Sequence, residues 1–409
     1  MRAFLPAGMR GSEVIGRNSA TGSPRRSITM IPPVAASRTS SEVWMWSSRT
    51  EVFLIMLHCS TWAVRRPPAP HPPWPESRYN LSVKLALIGY GRVARELVRL
   101  IHAKRHQYPF AVTGIHTLRH GTAADPAGLP ADPPFGPRMD SVEAFLYAAH
   151  ADAAVELTTL EPATGEPAIS HIRAAFHRSM HVVTANKGPI AHAYAALREE
   201  AIRAGVAFRF ESSVMDGAPL FNLWERAMPA VKVLGFTGAL NSTSKIVVRT
   251  MEQGGSFASG LARARAMGIT EGDGAYDIEG WDSAAKTAAL ANVLMDARVT
   301  PQQVSRRGIG RLTPQRVREI AGQGKTVRLI SRARRSGSRI GLRVRAEVLD
   351  RCDILAAPRG SSNLILFHTD LMGTFGTVSL DPGVEQTAYG VFSDLVAIAR
   401  FAPERTPAF

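Results

Sequence analysis

The sequence predicts an α/β protein: a doubly wound, mostly parallel sheet, then an α+β domain with a mixed sheet. Three observations predict it. From Val83 onwards short apolar runs alternate with amphipathic helical patterns, a glycine turn follows the first run, and after Pro219 the rhythm changes to strands around one long helical stretch. A chain of 409 residues has room for two or three domains.

Val83 to Ile88 is the first predicted strand. Arg92 to Lys104 places Val93, Leu97, Leu100 and Ile101 on one apolar stripe, the pattern of a helix packed on a sheet. Further strands are expected at Ala111 to Ile115, Ala153 to Leu157, His181 to Thr184 and Ala207 to Glu211. In the second half they are expected at Val233 to Ala239, Val327 to Ala333, Gly341 to Val348 and Asn363 to His368, with a helix near 277 to 297. This divides the chain into an extension (1–80), a first domain (81–220), a second domain (221–380) and a closing helix (381–409) that returns to the first. In residues 1–80 Arg, Ser and Pro are scattered without periodicity and end in the run Arg65-Arg66-Pro67-Pro68-Ala69-Pro70-His71-Pro72-Pro73, which cannot pair its backbone regularly. A disordered or non-native extension is expected there, an Arg-rich targeting peptide being the alternative.

The formal charge of +15 raises the question of nucleic acid. The charge is spread out, however. Between Arg306 and Arg351, Arg332, Arg334, Arg335, Arg339, Arg343 and Arg345 alternate with apolar residues like strand faces, so no nucleic-acid partner is expected. Cys59 and Cys352, the only cysteines, imply no disulfide framework and a reducing, cytoplasmic setting. The apolar stretch Val52 to Val64 is too short to span a bilayer, so no membrane association is expected.

Gly89-Tyr90-Gly91-Arg92-Val93-Ala94 follows a strand and opens a helix, the context in which G-x-G-x-x-G/A is a Rossmann-type dinucleotide loop. Gly89, Gly91, Arg92, Val93 and Ala94 are therefore expected around the pyrophosphate, at the positive end of a helix. Dinucleotide sites for NAD carry an acidic residue about 20 residues on. Here no Asp or Glu occurs between Glu96 and Asp125, and Arg119 follows the second strand. An arginine fork suits a 2′-phosphate, so NADP is expected, with NAD as the alternative. A solvated loop arginine is the bland reading of the same residue.

Four later stretches join the loop in one pattern: Thr184-Ala185-Asn186-Lys187-Gly188-Pro189, Glu211-Ser212-Ser213-Val214-Met215-Asp216-Gly217-Ala218-Pro219, Gly238-Ala239-Leu240-Asn241-Ser242-Thr243, and Asp277-Ile278-Glu279-Gly280-Trp281-Asp282-Ser283-Ala284-Ala285-Lys286. With Thr387-Ala388-Tyr389-Gly390 before the last helix, the order and spacing resemble homoserine dehydrogenases over residues 83 to 402. No aspartokinase region precedes them and no regulatory domain is visible after them. The resemblance implies reversible hydride transfer between L-homoserine and L-aspartate 4-semialdehyde, in threonine and methionine biosynthesis, by a homodimer or homotetramer. It implies that Lys286 and Lys187 are catalytic with Asp282 orienting Lys286, and that Glu271, Asp277 and Asn241 bind substrate. Thr158, Lys187 and Gly383 join the cofactor site, and backbone carbonyls of Glu211, Val214, Asp216 and Ala218 wrap a monovalent cation such as Na+. The chain departs from the pattern at Asp216, where a smaller residue is usual, at Ser242 for a commoner glycine and at Lys245 for an asparagine.

Independently of any family, Asp282 and Lys286 stand four apart on a helix and share a face, a spacing that more often makes a surface ion pair. A catalytically silent, dinucleotide-binding regulatory protein is the competing reading, but it would be expected to lose Lys187, Asp282 or Lys286. An aldehyde dehydrogenase needs a thiolate, and Cys352 lies in no cleft motif.

Overall fold

The structure is a computed structural model that describes residues 43–48, 51–56, 82–270 and 274–401. The chain divides into two units, residues 1–75 and 76–409. In the first, β1 (Val43–Ser48) and β2 (Glu51–Met56) pair antiparallel. This corrects the expectation that nothing in residues 1–80 pairs regularly. The two segments carry Val, Ile, Phe and Trp, which favour strands, and no proline. The proline run lies outside the described residues.

In the second unit, the first sheet grows from β3 (Val83–Ile88), α1 (Arg92–Lys104), β4 (Phe110–Thr117), β5 (Gly121–Ala124), α2 (Val142–Ala149), β6 (Ala153–Glu156), α3 (Ala168–His177), β7 (His181–Thr184), α4 (Lys187–Ala204) and β8 (Phe208–Arg209). Its order is β5-β4-β3-β6-β7-β8, parallel except for the β4–β5 pair. Period-two alternation explains how β3 serves two cores at once. Leu85 and Leu87 pack with Leu97 and Ile101 of α1, while Ala86 and Ile88 pack with Phe145, Ile172 and Leu197 on the opposite face. The strand order reverses at β3, where chain leaves toward β4 on one side and β6 on the other, so the carboxyl ends of β3 and β6 frame the crevice where such sheets bind ligands. The last expected strand is shorter than its sequence suggests: after Arg209 the backbone turns into a 3-10 turn at Glu211–Ser213.

The second sheet follows α5 (Phe221–Ala227) and is built from β9 (Val233–Ala239), α6 (Ser242–Glu252), α7 (Phe257–Ala266), α8 (Ala275–Ile278), α9 (Trp281–Met295), β10 (Ser305–Arg307), α10 (Pro314–Gly322), β11 (Lys325–Ser336), β12 (Arg339–Asp350), β13 (Asn363–Thr369) and β14 (Thr374–Ser379). The order is β10-β12-β11-β9-β13-β14, with β10 parallel to β12 and the other pairs antiparallel, a mixed sheet. The single helix expected near 277 to 297 is two, broken at Gly280, whose φ of +84° lies in the left-handed region that favours glycine. The closing helix α11 (Val384–Phe401) lays Ala388, Val391 and Leu395 on the α1 side of the first sheet, and Phe392 meets Tyr108 and Phe110 edge-on at 5.4 and 5.7 Å.

One contact decides where the site forms. α9 presents Ala284, Ala285, Ala288, Ala289 and Ala291 buried, and these short side chains let it lie against α4. Asn292 locks the pair by donating to the Ile190 and Ala191 carbonyls at 3.1 and 3.3 Å. Among the described residues no helix is long and apolar enough to cross a membrane. Both sheets of this unit and all the described hydrophobic clusters use residues from 83 onwards. Protein begun near Leu81 is therefore expected to keep its turnover and melting temperature; a large fall in either would show that earlier residues belong to the fold.

Candidate active site

The dinucleotide loop begins where β3 ends. Gly89 has φ +99°, and a Cβ there would stand 2.6 Å from the Leu157 carbonyl oxygen, so only glycine lets the turn pass this close to the end of β6. A Cβ on Gly91 would meet no protein atom within 4 Å, so packing does not demand glycine there; room for a ligand against the backbone does. Gly91 caps α1 without a side-chain hydrogen bond, leaving the first amide groups of the helix to an anion. Ala94 is buried, Val93 partly so, and Arg92 is exposed with Nη2 3.4 Å from the Gly268 carbonyl. Arg119 sits on the exposed turn after β4. Thr158 joins the loop to the next feature. Its amide and hydroxyl donate to Glu156, and its carbonyl accepts from Asn186 Nδ2 at 3.4 Å. Gly383 stands before α11, its amide bonded to Gln386 Oε1.

Lys187 is the first residue of α4, placed there by Asn186, whose side chain caps the helix through the Gly188 amide at 3.0 Å. Lys286 lies on the facing helix α9. Between them stands Asp282, 5% exposed: Oδ1 is 3.2 Å from Lys187 Nζ and Oδ2 is 3.1 Å from Lys286 Nζ. Burial alone would raise the Asp282 carboxyl. The Lys286 and Lys187 charges and the Asn241 hydrogen bond outweigh it and hold the group well below the usual carboxylate range. Lys286 Nζ also donates to the Leu240 carbonyl at 2.9 Å. An ammonium has three donors, so two fix the side chain and one remains for a substrate oxygen.

Asn241 ties this pair to Asp277. Its Nδ2 reaches Asp277 Oδ1 at 2.6 Å and Asp282 Oδ2 at 3.0 Å, while its Oδ1 accepts the Ser244 amide and caps α6. Thr243 Oγ1 donates to Asp277 Oδ2 at 3.0 Å. The structure thus gathers Lys187, Asn241, Asp277, Asp282 and Lys286 in one place. Glu271 lies outside the described residues.

Glu211 Oε1 and Oε2 accept the Leu220, Phe221 and Asn222 amides, and its own amide donates to Asp394 Oδ2 at 2.7 Å. Burial pushes the Asp394 carboxyl up to about 7, and the nearby Glu211 charge adds to it. Among the described residues no cluster of three or more His, Cys, Asp or Glu side chains stands ready for a metal ion.

Sequence reasoning missed the first of three further contributors and noted the other two, Asp216 and Lys245, only as departures from the family pattern. The Leu240 carbonyl carries no side-chain signal at all. The side chain of Asp216, half-buried, lies within electrostatic reach of Lys286 and is raised by its burial. Lys245 is 4% exposed, and burial, then the Lys286 and Arg328 charges, push its ammonium down to about 7. A lysine standing directly before the apolar run Ile246-Val247-Val248, where the family pattern more often has an asparagine, is its signal in the sequence.

Residues 89–211 match the family described as homoserine dehydrogenase, NAD binding domain, and residues 219–396 match that described as homoserine dehydrogenase. The chain is 35% identical over 343 residues to an NAD(+)-dependent homoserine dehydrogenase of Pseudomonas canavaninivorans, covering 79% of this chain and 97% of the relative. It is 32% identical over 335 residues to the homoserine dehydrogenase of Methanocaldococcus jannaschii, covering 77% and 98%. The crystal structure of a homoserine dehydrogenase from Thiobacillus denitrificans superposes with a TM-score of 0.67 at 25% identity, covering 79% of this chain and 74% of that one. With both parts matched in order, the glycine loop in the first and the lysine centre drawing Lys187 from the first and Asp282 and Lys286 from the second, the chain belongs to the homoserine dehydrogenase family.

Proposed function

We propose that the protein interconverts L-homoserine and L-aspartate 4-semialdehyde by reversible hydride transfer. The observation that carries this is the single Asp282 carboxylate holding both Lys187 and Lys286 at about ion-pair distance, beside the carboxyl ends of a dinucleotide-type sheet. The nicotinamide dinucleotide, when bound, supplies or accepts the hydride at the substrate's C4. In the reducing direction the aldehyde oxygen gains a proton from Lys286, and in the oxidising direction a neutral Lys286 takes the hydroxyl proton back. Asp282 steers that ammonium, and Lys187 holds the carboxylate from the other side. Asp277 faces the substrate's ammonium group, a role the family resemblance also gives to Glu271, and Asn241 fixes Asp277 and Asp282 relative to each other. A spectrophotometric assay of purified protein with homoserine or aspartate semialdehyde tests the reading. Absence of any change in reduced dinucleotide would favour a silent binding protein.

NADP is the proposed cofactor in preference to NAD. The support is the exposed Arg119 after β4 and the lack of any Asp or Glu between Glu96 and Asp125. Arg119→Ala is expected to weaken NADP by roughly 1 to 3 kcal/mol more than NAD. Titrating both cofactors into the variant checks this, and equal weakening of the two would remove Arg119 from the phosphate site. A monovalent cation on the carbonyls of Glu211, Val214, Asp216 and Ala218 would tie the start of the second domain to the first. The working form is proposed to be a cytoplasmic homodimer or homotetramer paired through the second sheet, in line with the family resemblance. The domain limits proposed are 81–220, 221–380 and 381–409.

A further inference from the structure

Lys245 is a buried cation that the mechanism does not use. Lys245 stands on α6, four residues after the cap Asn241, and its Nζ donates to the Ser362 carbonyl and, at 3.0 Å, to Asn363 Oδ1. The Asn363 amide turns the other way, and Nδ2 donates to Asp216 Oδ2 at 3.3 Å. Three segments distant in sequence thus form one polar chain, Lys245 to Asn363 to Asp216, whose acidic end interacts with both Lys286 and Asp282.

Burying an ammonium is expensive, and an apolar or amide side chain would fill the same space at less cost. A lysine there is understandable if it answers an opposite charge. Asp216 is that charge. Left unmatched, its carboxylate would attract the Lys286 ammonium in competition with Asp282 and draw it away from the Leu240 carbonyl that fixes its direction. Around this centre stand Lys187, Lys245 and Lys286 with Asp216, Asp277 and Asp282, and the Arg328 charge also reaches Lys245.

We infer that Lys245 is a positioning residue for the reaction: its charge, relayed through Asn363, matches Asp216 and leaves Asp282 alone to aim Lys286 at the substrate oxygen. This rests on Lys286 serving the reacting oxygen.

The test compares full-length Lys245→Gln, Asp216→Asn and the double variant for kcat, both KM values and melting temperature. Lys245→Gln keeps a side-chain N–H, on a side chain one bond shorter, and removes the charge. Its kcat should fall about 10- to 100-fold, within the coupling range of groups that share one buried network. The dinucleotide KM should be nearly unchanged, because the glycine loop belongs to the other sheet. Adding Asp216→Asn removes the unmatched carboxylate, so the double variant should recover most of the lost kcat. Wild-type kcat in Lys245→Gln overturns the inference. So does a double variant that melts normally yet stays as slow as the single one, since Lys245 would then serve packing alone. Should Lys245→Gln fail to fold, Asp216→Asn decides: an unanswered Lys245 should lower kcat there, and unchanged kcat overturns the inference as well. Lys286→Ala run beside them separates the two failures. Full turnover in that variant removes the reading of Lys286, whereas lost turnover there with wild-type kcat in Lys245→Gln removes only the role of Lys245.

Discussion

Lys286→Ala is expected to cut turnover about 10²- to 10⁴-fold, the range for losing a positioned acid or base. The geometry says why the loss should fall on kcat. Two of the three Nζ donors are committed to Asp282 and the Leu240 carbonyl, so the side chain arrives already aimed and only its third donor is free for the substrate. Dinucleotide affinity should barely change, since the loop from Gly89 to Ala94 belongs to the first sheet and Lys286 to a helix of the second part. Initial rates for the first quantity and a fluorescence titration of the dinucleotide for the second would separate them. Full turnover would end the acid-base assignment and make Lys187 the leading candidate.

Asp282→Asn should be costly in a second way, because one carboxylate answers two ammonium groups. The amide keeps the shape and removes the carboxylate charge that stands between Lys187 and Lys286. Breaking a buried pair in this manner costs on the order of 3 to 5 kcal/mol, so melting temperature should fall together with kcat. The dependence on pH has a definite sign. The folded carboxyl is held below its unfolded value of about 3.9, so its contribution is fully present above that value and is lost as pH falls through the lower folded one. The difference in melting temperature between wild type and Asp282→Asn should therefore hold steady from neutral pH down to about pH 4 and shrink below it. Equal melting temperatures at neutral pH would mean that the carboxylate contributes little to the fold and that the two lysines are solvated separately.

Much of the fold was legible because it depends on local periodicity. Leu85, Leu87, Ala86 and Ile88 announce a strand buried on both faces, the stripe through Leu97 and Ile101 announces α1, and the bounds of β3, α1 and β9 follow from runs that end at glycine, proline or polar residues. The glycine loop was legible for the same reason, since its function needs only consecutive residues between a strand and a helix. Some local features were still missed: β5 is four residues long, and Gly280 breaks a helical pattern that a glycine can also continue, at a cost of about 1 kcal/mol. Lys187, Asp282 and Lys286 were named through a family pattern, but no spacing in the chain states that one carboxylate bridges both lysines.

The sequence by itself determined the order of strands and helices, the dinucleotide turn and the residue types able to move a proton. Only the tertiary structure decided which of those groups meet. The alanine face of α9 against α4 brings Lys187 to Asp282, the cap of α6 aims Asn241 at two carboxylates, and the approach of β13 to α6 links Lys245 through Asn363 to Asp216. The reason is physical. Backbone periodicity is written in neighbouring residues, whereas the direction of a side-chain hydrogen bond depends on how closely two distant elements can pack, and that is set by the volumes of residues that carry no chemistry of their own.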